Sequence, residues 1–185
     1  MRKRLLRRLI VIGAAVVLLP GAALIGLVRY AQPSEALDLR YERYDLRHEL
    51  AEMIRERRTS IVLSEAEINN LLKAELAERP VGTPYARLTG ARFELVDGGL
   101  TAHLALSAPG RTKVGVRLSY ALRWEEPDLI VQLRKARIKS VPIPAEWIPV
   151  TNMAIRLTDR LPPFIGIRSV EINEDAVVIR FKLVL

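Results

Sequence analysis

ARFELVDGGLTAHLAL, residues 91–106, decides the architecture. Ala91, Phe93 and Leu95 alternate with Arg92 and Glu94. Beyond Asp97, Gly98 and Gly99, the residues Leu100, Ala102, Leu104 and Leu106 alternate with Thr101, His103 and Ala105. A period of two on both sides of an Asp-Gly-Gly turn marks an antiparallel hairpin with one apolar and one polar face. The pattern recurs downstream. Val114, Val116, Leu118, Tyr120 and Leu122 interleave with Gly115, Arg117, Ser119 and Arg123, turn at 125–128 and return over 129–139, with Ala108, Pro109 and Gly110 separating the two pairs. Residues 140–149, SVPIPAEWIP, cannot form regular strand because proline donates nothing to a ladder. The segment 151–160 reads as a helix broken at 161–163, and a last hairpin runs 167–172, turns at 173–175 and returns over 176–185.

Upstream the period changes to 3.6. Residues 59–63 are β-prone, and Ser64 with Glu67 forms a capping box in which each side chain serves an amide left free at a helix start. Ile68, Leu71, Leu72 and Leu76 then share one helical face, which ends before Arg79 and Pro80. Residues 37–58, LDLRYERYDLRHELAEMIRERR, carry a stripe of Leu39, Leu46, Leu50, Met53 and Ile54 within charge of both signs, the pattern of an amphipathic helical stalk. The expected fold class is α+β: an N-terminal transmembrane helix, then a twisted antiparallel sheet of about six strands covered on one face by helices.

The transmembrane expectation rests on LIVIGAAVVLLPGAALIGLV, residues 9–28, which has no charge and follows Arg2, Lys3, Arg4, Arg7 and Arg8. Twenty helical residues match the roughly 30 Å hydrocarbon core, and the preceding cations favour a cytoplasmic N-terminus. A cleaved signal peptide has an apolar stretch of about 7 to 15 residues and a small-x-small site, neither of which fits here. The expected division is a basic cytoplasmic tail (1–8), a transmembrane anchor (9–28), a juxtamembrane spacer and stalk (29–58) with 32–38 as the spacer, and an extracytoplasmic α+β domain (59–185). The localisation is the plasma membrane, single-pass.

The formal charge of +8 suggests nucleic acid until its position is considered. With five of the 29 basic residues in the first eight positions, the other 24 face 21 acidic ones, an ordinary surface balance. No nucleic-acid partner is expected. The chain has no cysteine, which removes disulfides, thiolate chemistry and lipoprotein acylation.

Catalytic signatures are missing: there is no GxSxG, SxxK, HExxH, P-loop or GxGxxG. His48 and His103 stand apart from any second ligand at metal spacing, Glu65, Glu67 and Glu75 read as a solvated helix face, and Asp97 reads as a turn residue. No enzyme activity, metal or cofactor is expected. The chemistry on offer is binding. An apolar groove is the candidate site, formed where Ile68, Leu71, Leu72, Trp147, Ile148 and Phe164 cover a sheet face of Phe93, Leu95, Leu104, Val116 and Leu118. Arg117, Arg134, Arg137 and Lys139 form its candidate headgroup rim. The plain alternative is that these apolar residues are simply a packed core.

LSEAEINNLL at 63–72, IKSVPIP at 138–144 and LPPFIGIRSVEI at 161–172, behind an N-terminal anchor, resemble the YpmS-like family of single-pass envelope proteins of Gram-positive bacteria, whose role is unassigned. The resemblance covers most of the chain after residue 59 and implies an extracytoplasmic globular domain without catalytic residues. The long strands with the xPxP and LPP segments are also similar to tubular lipid-binding domains, which favours the groove. Two functions follow as expectations: a membrane-anchored binding module for lipid or acyl chains in envelope maintenance, or an accessory subunit that docks another envelope protein through the stalk.

Overall fold

A computed structural model describes residues 26, 29–78, 82–83, 86–107, 112–144, 152–162 and 164–183. Asp97 and Gly98 both take positive φ, 50° and 68°, the conformation a two-residue hairpin turn between right-twisted strands demands. They join β3 (Ala86–Val96) to β4 (Gly99–Ser107), and the meander continues through β5 (Lys113–Glu125) and β6 (Asp128–Ile138). Two short strands, β2 (Gly82–Thr83) and β7 (Val141–Pro142), end this sheet, whose order is β2-β3-β4-β5-β6-β7. An eighth strand, β8 (Asn152–Arg156), pairs antiparallel with the start of β6.

A second, three-stranded sheet departs from the expected architecture. Strand β1 (Ser60–Ser64) pairs with β10 (Ala176–Leu183), which pairs with β9 (Ile165–Ile172). The molecule is thus mostly β, with 54 % strand against 21 % helix, and not an α+β sheet of about six strands with helices over one face. The closing hairpin takes β1 as its third strand instead of joining the meander, and so needs a core of its own. The helix expected over 151–160 is also corrected: 152–156 form β8, because each residue pairs across to β6, and only Leu157–Arg160 wind into a 3-10 turn. Among the described residues no helix is long and apolar enough to cross a membrane; of the run 9–28, only Gly26 is described.

Two helices pack on the sheets, one on the small sheet and one on both. Helix α1 (Leu46–Arg55) buries Leu50 and Met53 against Ile61, Leu63, Ile165, Ile167, Val170 and Phe181 of the small sheet. Each fully buried side chain of this size contributes about 1.5–3 kcal/mol. Helix α2 (Glu65–Glu78) begins at the expected capping box: Glu67 Oε2 accepts from Ser64 N at 2.8 Å and from Ser64 Oγ at 2.7 Å, and the Glu67 N–H donates back to Ser64 Oγ at 3.4 Å. Its Ile68 and Leu71 pack on the small-sheet core, while Leu72 and Leu76 pack on the large-sheet cluster of Ala91, Phe93, Ala102, Val116, Leu118 and Ala136. One helix therefore joins both cores.

Of residues 37–58, expected as a helical stalk, only Leu46–Arg55 are helical; 37–45 have no regular secondary structure. Leu39 packs on the large-sheet core, Leu50 and Met53 are buried, and Ile54 remains exposed.

Candidate functional site

The polar face of the large sheet is where the chain gathers unusual chemistry, and the segment leading to it comes from the N-terminus. Residues 29–31 are helical. Tyr30 fixes this turn to the β6–β7 corner: its hydroxyl lies 2.6 Å from Ser140 Oγ, accepts from the Ser140 N–H at 3.4 Å, and its ring lies 5.0 Å below Lys139 Nζ. The bonds from Ser140, with the Lys139 charge adding to them, hold the Tyr30 phenol below its ordinary pKa.

From there residues 32–39 cross the sheet as a strap. The register puts Gly90 opposite Ala105 and Ala105 opposite Gly115, a row of minimal side chains across three strands. A Cβ on Gly115 would stand 2.8 Å from Pro33 Cα, and one on Gly90 would stand 2.3 Å from the Leu37 carbonyl oxygen. The strap therefore lies directly on backbone. The expected spacer at 32–38 is part of this packed segment.

Charge fastens it. Glu35 Oε2 pairs with Arg92 Nη1 at 2.7 Å, Arg92 also contacts Glu94, and His103 Nε2 donates to Glu94 Oε2 at 3.0 Å. Past the strap the chain rounds the open edge of β3. Three successive outward amides there are capped: Ala91 N–H by the Asp38 carbonyl at 3.0 Å, Phe93 N–H by Asn69 Oδ1 at 3.0 Å, and Leu95 N–H by Glu65 Oε2 at 2.8 Å. An unpaired row at this edge would template another strand. Lys73 secures the crossing by donating to Asp38 Oδ1 at 3.5 Å and to the Arg40 carbonyl at 3.2 Å.

Next to the strap lies a basic ridge. Arg117 on β5 stands directly opposite Arg137 on β6, and Lys135 stands opposite Ser119 one pair further along. Like charges facing each other across strands are destabilising. Among the described residues no carboxylate pairs with Arg117, Lys135, Arg137 or Lys139, because the nearby Glu35 and Glu94 are engaged by Arg92. A cleft of about 70 Å³ opens where strap and ridge meet, with Pro33, Glu35, His103, Gly115, Arg117 and Lys139 on its wall. Further along the same face, Arg123, Ile130, Gln132, Asn152 and Ala154 line an open depression of about 310 Å³.

The candidate rim and groove residues fare differently. Arg117, Arg137 and Lys139 come together, whereas Arg134 is the extra residue of a β-bulge in β6. Of the candidate groove, Ile68 and Leu71 sit in one core and Leu72 in the other, Phe164 is 53 % exposed, and Trp147 and Ile148 lie outside the described residues. Tyr30, Glu35, Arg92 and Glu94 were not anticipated; isolated mid-strand glycines at 90 and 115 are the sequence signal of a close backbone approach that points to them. Among the described residues no three His, Asp or Glu side chains cluster around a point that could hold a metal. Comparison with known proteins finds no matching family model, no matching curated protein and no matching solved structure.

Proposed function

We propose that the chain is a membrane-anchored extracytoplasmic module that binds, without converting, an anionic lipid at the polar face of the large sheet. One observation carries this reading: Arg117 and Arg137 face each other on an open sheet surface, and among the described residues no carboxylate pairs with either. A phosphate group between two guanidinium forks turns that repulsion into charge-assisted hydrogen bonding, and arginine is the side chain suited to it. The apolar run at 9–28, read as an anchor, keeps the ridge among lipids. The headgroup side, rather than an acyl groove under the helices, is where the candidate residues converge.

Mild detergent extraction of the full chain followed by lipid mass spectrometry tests this. The expected result is co-purified anionic phospholipid, reduced at least about fivefold in the Arg117→Ala, Arg137→Ala double variant, since each cation near an anionic headgroup is worth about 1 kcal/mol. Lipid-free protein, or lipid retained equally by the double variant, would refute the assignment.

A second reading, an accessory subunit of an envelope complex, is favoured by β8. All five of its residues are exposed, Met153 at 38 % and Ile155 at 40 %, and among the described strands it pairs only with β6. A photo-crosslinker at Ile155 that captures one specific protein partner in whole membranes would support it.

A further inference from the structure

We infer that the ridge faces the surface of the same bilayer that holds the chain's own apolar run, so that the β6–β7 corner and the polar face of the large sheet lie on anionic headgroups. The inference rests on the anchored lipid-binding reading and specifies its partner as a bilayer surface rather than a single extracted molecule.

Three observations carry it. The uncharged run ends at Val28 and Tyr30 follows two residues later in sequence, a span of at most about 7 Å of chain. Tyrosine and arginine at that position, here Tyr30 and Arg29, are the side chains that settle at the membrane–water boundary. Tyr30 is not free to drift from the domain, because Ser140 and Lys139 hold it at the β6–β7 corner. The corner is therefore within a few ångströms of the headgroup layer, and the exposed Val141 projects there as well, at 53 % exposure.

The charge on this corner has the right sign. Lys135 and Arg137 on β6 lead to Lys139 in the turn after it, with Arg117 alongside, all without a carboxylate partner among the described residues. The carboxylates described on this surface have cationic partners: Glu35 and Glu94 pair with Arg92, Glu125 with Arg123, and Asp128 with Arg156. An open, positive surface, with a small cleft beside the strap and an open depression further along, suits a plane of headgroups better than an enclosed ligand. Each cation multiplies partitioning onto an anionic surface roughly fivefold.

The absence of native cysteine makes the test direct. Single cysteines at Ser119, on the ridge face, and at Val62, on the outer face of the small sheet, are labelled with a small fluorophore in the full chain. The protein is then reconstituted into vesicles carrying headgroup spin labels. In vesicles with about 30 % phosphatidylglycerol the Ser119 label is expected to be quenched strongly and the Val62 label weakly. Quenching at Ser119 should fall in pure phosphatidylcholine vesicles, in about 1 M salt where the screening length is about 3 Å, and with Arg117→Glu and Arg137→Glu combined, which should lower partitioning onto the surface by at least about 25-fold. Equal quenching at the two positions, or a Ser119 signal indifferent to lipid charge, would overturn the docking. A full chain that alkaline carbonate strips from the vesicles would instead overturn the anchor reading beneath it, and lipid-free protein after mild extraction would remove the binding reading while leaving the anchor intact.

Discussion

Gly90 and Gly115 let the strap touch the sheet backbone, and the contact is tight enough that one methyl group decides it. The atom that a Gly90→Ala Cβ would meet, at 2.3 Å, is a carbonyl oxygen, which cannot swing aside as a side-chain tip can. Gly90→Ala is therefore expected to lift the strap, cost about 1–3 kcal/mol in denaturant unfolding of the detergent-solubilised chain, and expose the bond after Arg40 to trypsin. Unchanged stability and cleavage would show that the strap has room to move. Both glycines stand out in the sequence as interruptions of a strand pattern, yet their partner does not, because a polar strap held by ion pairs and backbone contact has no hydrophobic period to read. Tyr44 gives a second test at this scale. Burial, reinforced by the charges of Glu67 and Glu49, pushes its phenol up to about 12 from the usual 10. The unfolded chain then loses this proton before the folded chain does, so the contribution of Tyr44 to stability declines as pH rises from 10 to 12. Tyr44→Phe should remove that part of the alkaline loss, measured as the difference between the two unfolding curves; superimposable pH dependences would refute it.

Helix α2 combines three roles in fourteen residues. The capping box at Ser64 and Glu67 was legible because its spacing is local and its chemistry fixed. The role of Glu65 and Asn69 was not, since a polar residue on a helix reads as solvated, although both lie in line with Leu72 and Leu76 at spacings of four, three and four. Their carboxylate and amide oxygens replace a neighbouring strand for the Leu95 and Phe93 amides. Asn69→Ala strands a half-buried donor and is expected to destabilise the chain by about 1–2 kcal/mol, whereas Asn69→Asp keeps the acceptor and should lose less. Equal losses for the two variants would mean that packing, and not the hydrogen bond, is what Asn69 supplies. Strand β8 was misread for the opposite reason. Its sequence has no clear period, and its identity as a strand comes from pairing with β6 twenty to twenty-eight residues earlier.

The hairpins could be read one by one, but their assembly into two sheets could not. The pairing of β1 with β10 joins Ser60 to Arg180, 120 positions apart, and no local pattern distinguishes it from extending the meander. What the topology adds is mechanical unity. Because Leu71 faces the small-sheet core and Leu72 the large-sheet core on the same turn of α2, neither sheet can lose its packing without disturbing the other. Trp124 strengthens the link, since it belongs to a large-sheet strand yet packs on the small-sheet core. The domain is expected to unfold in a single transition, with tryptophan fluorescence and far-ultraviolet circular dichroism coinciding. Leu71→Ala and Leu72→Ala, aimed at different cores, should each lower that one transition by about 2 kcal/mol, toward the low end for Leu→Ala because both sites are only half-buried. Separated transitions, or a Leu71→Ala effect seen by one probe alone, would show two independently stable sheets and leave the strap, rather than the helix, as the element that ties the polar face of the large sheet to the rest of the chain.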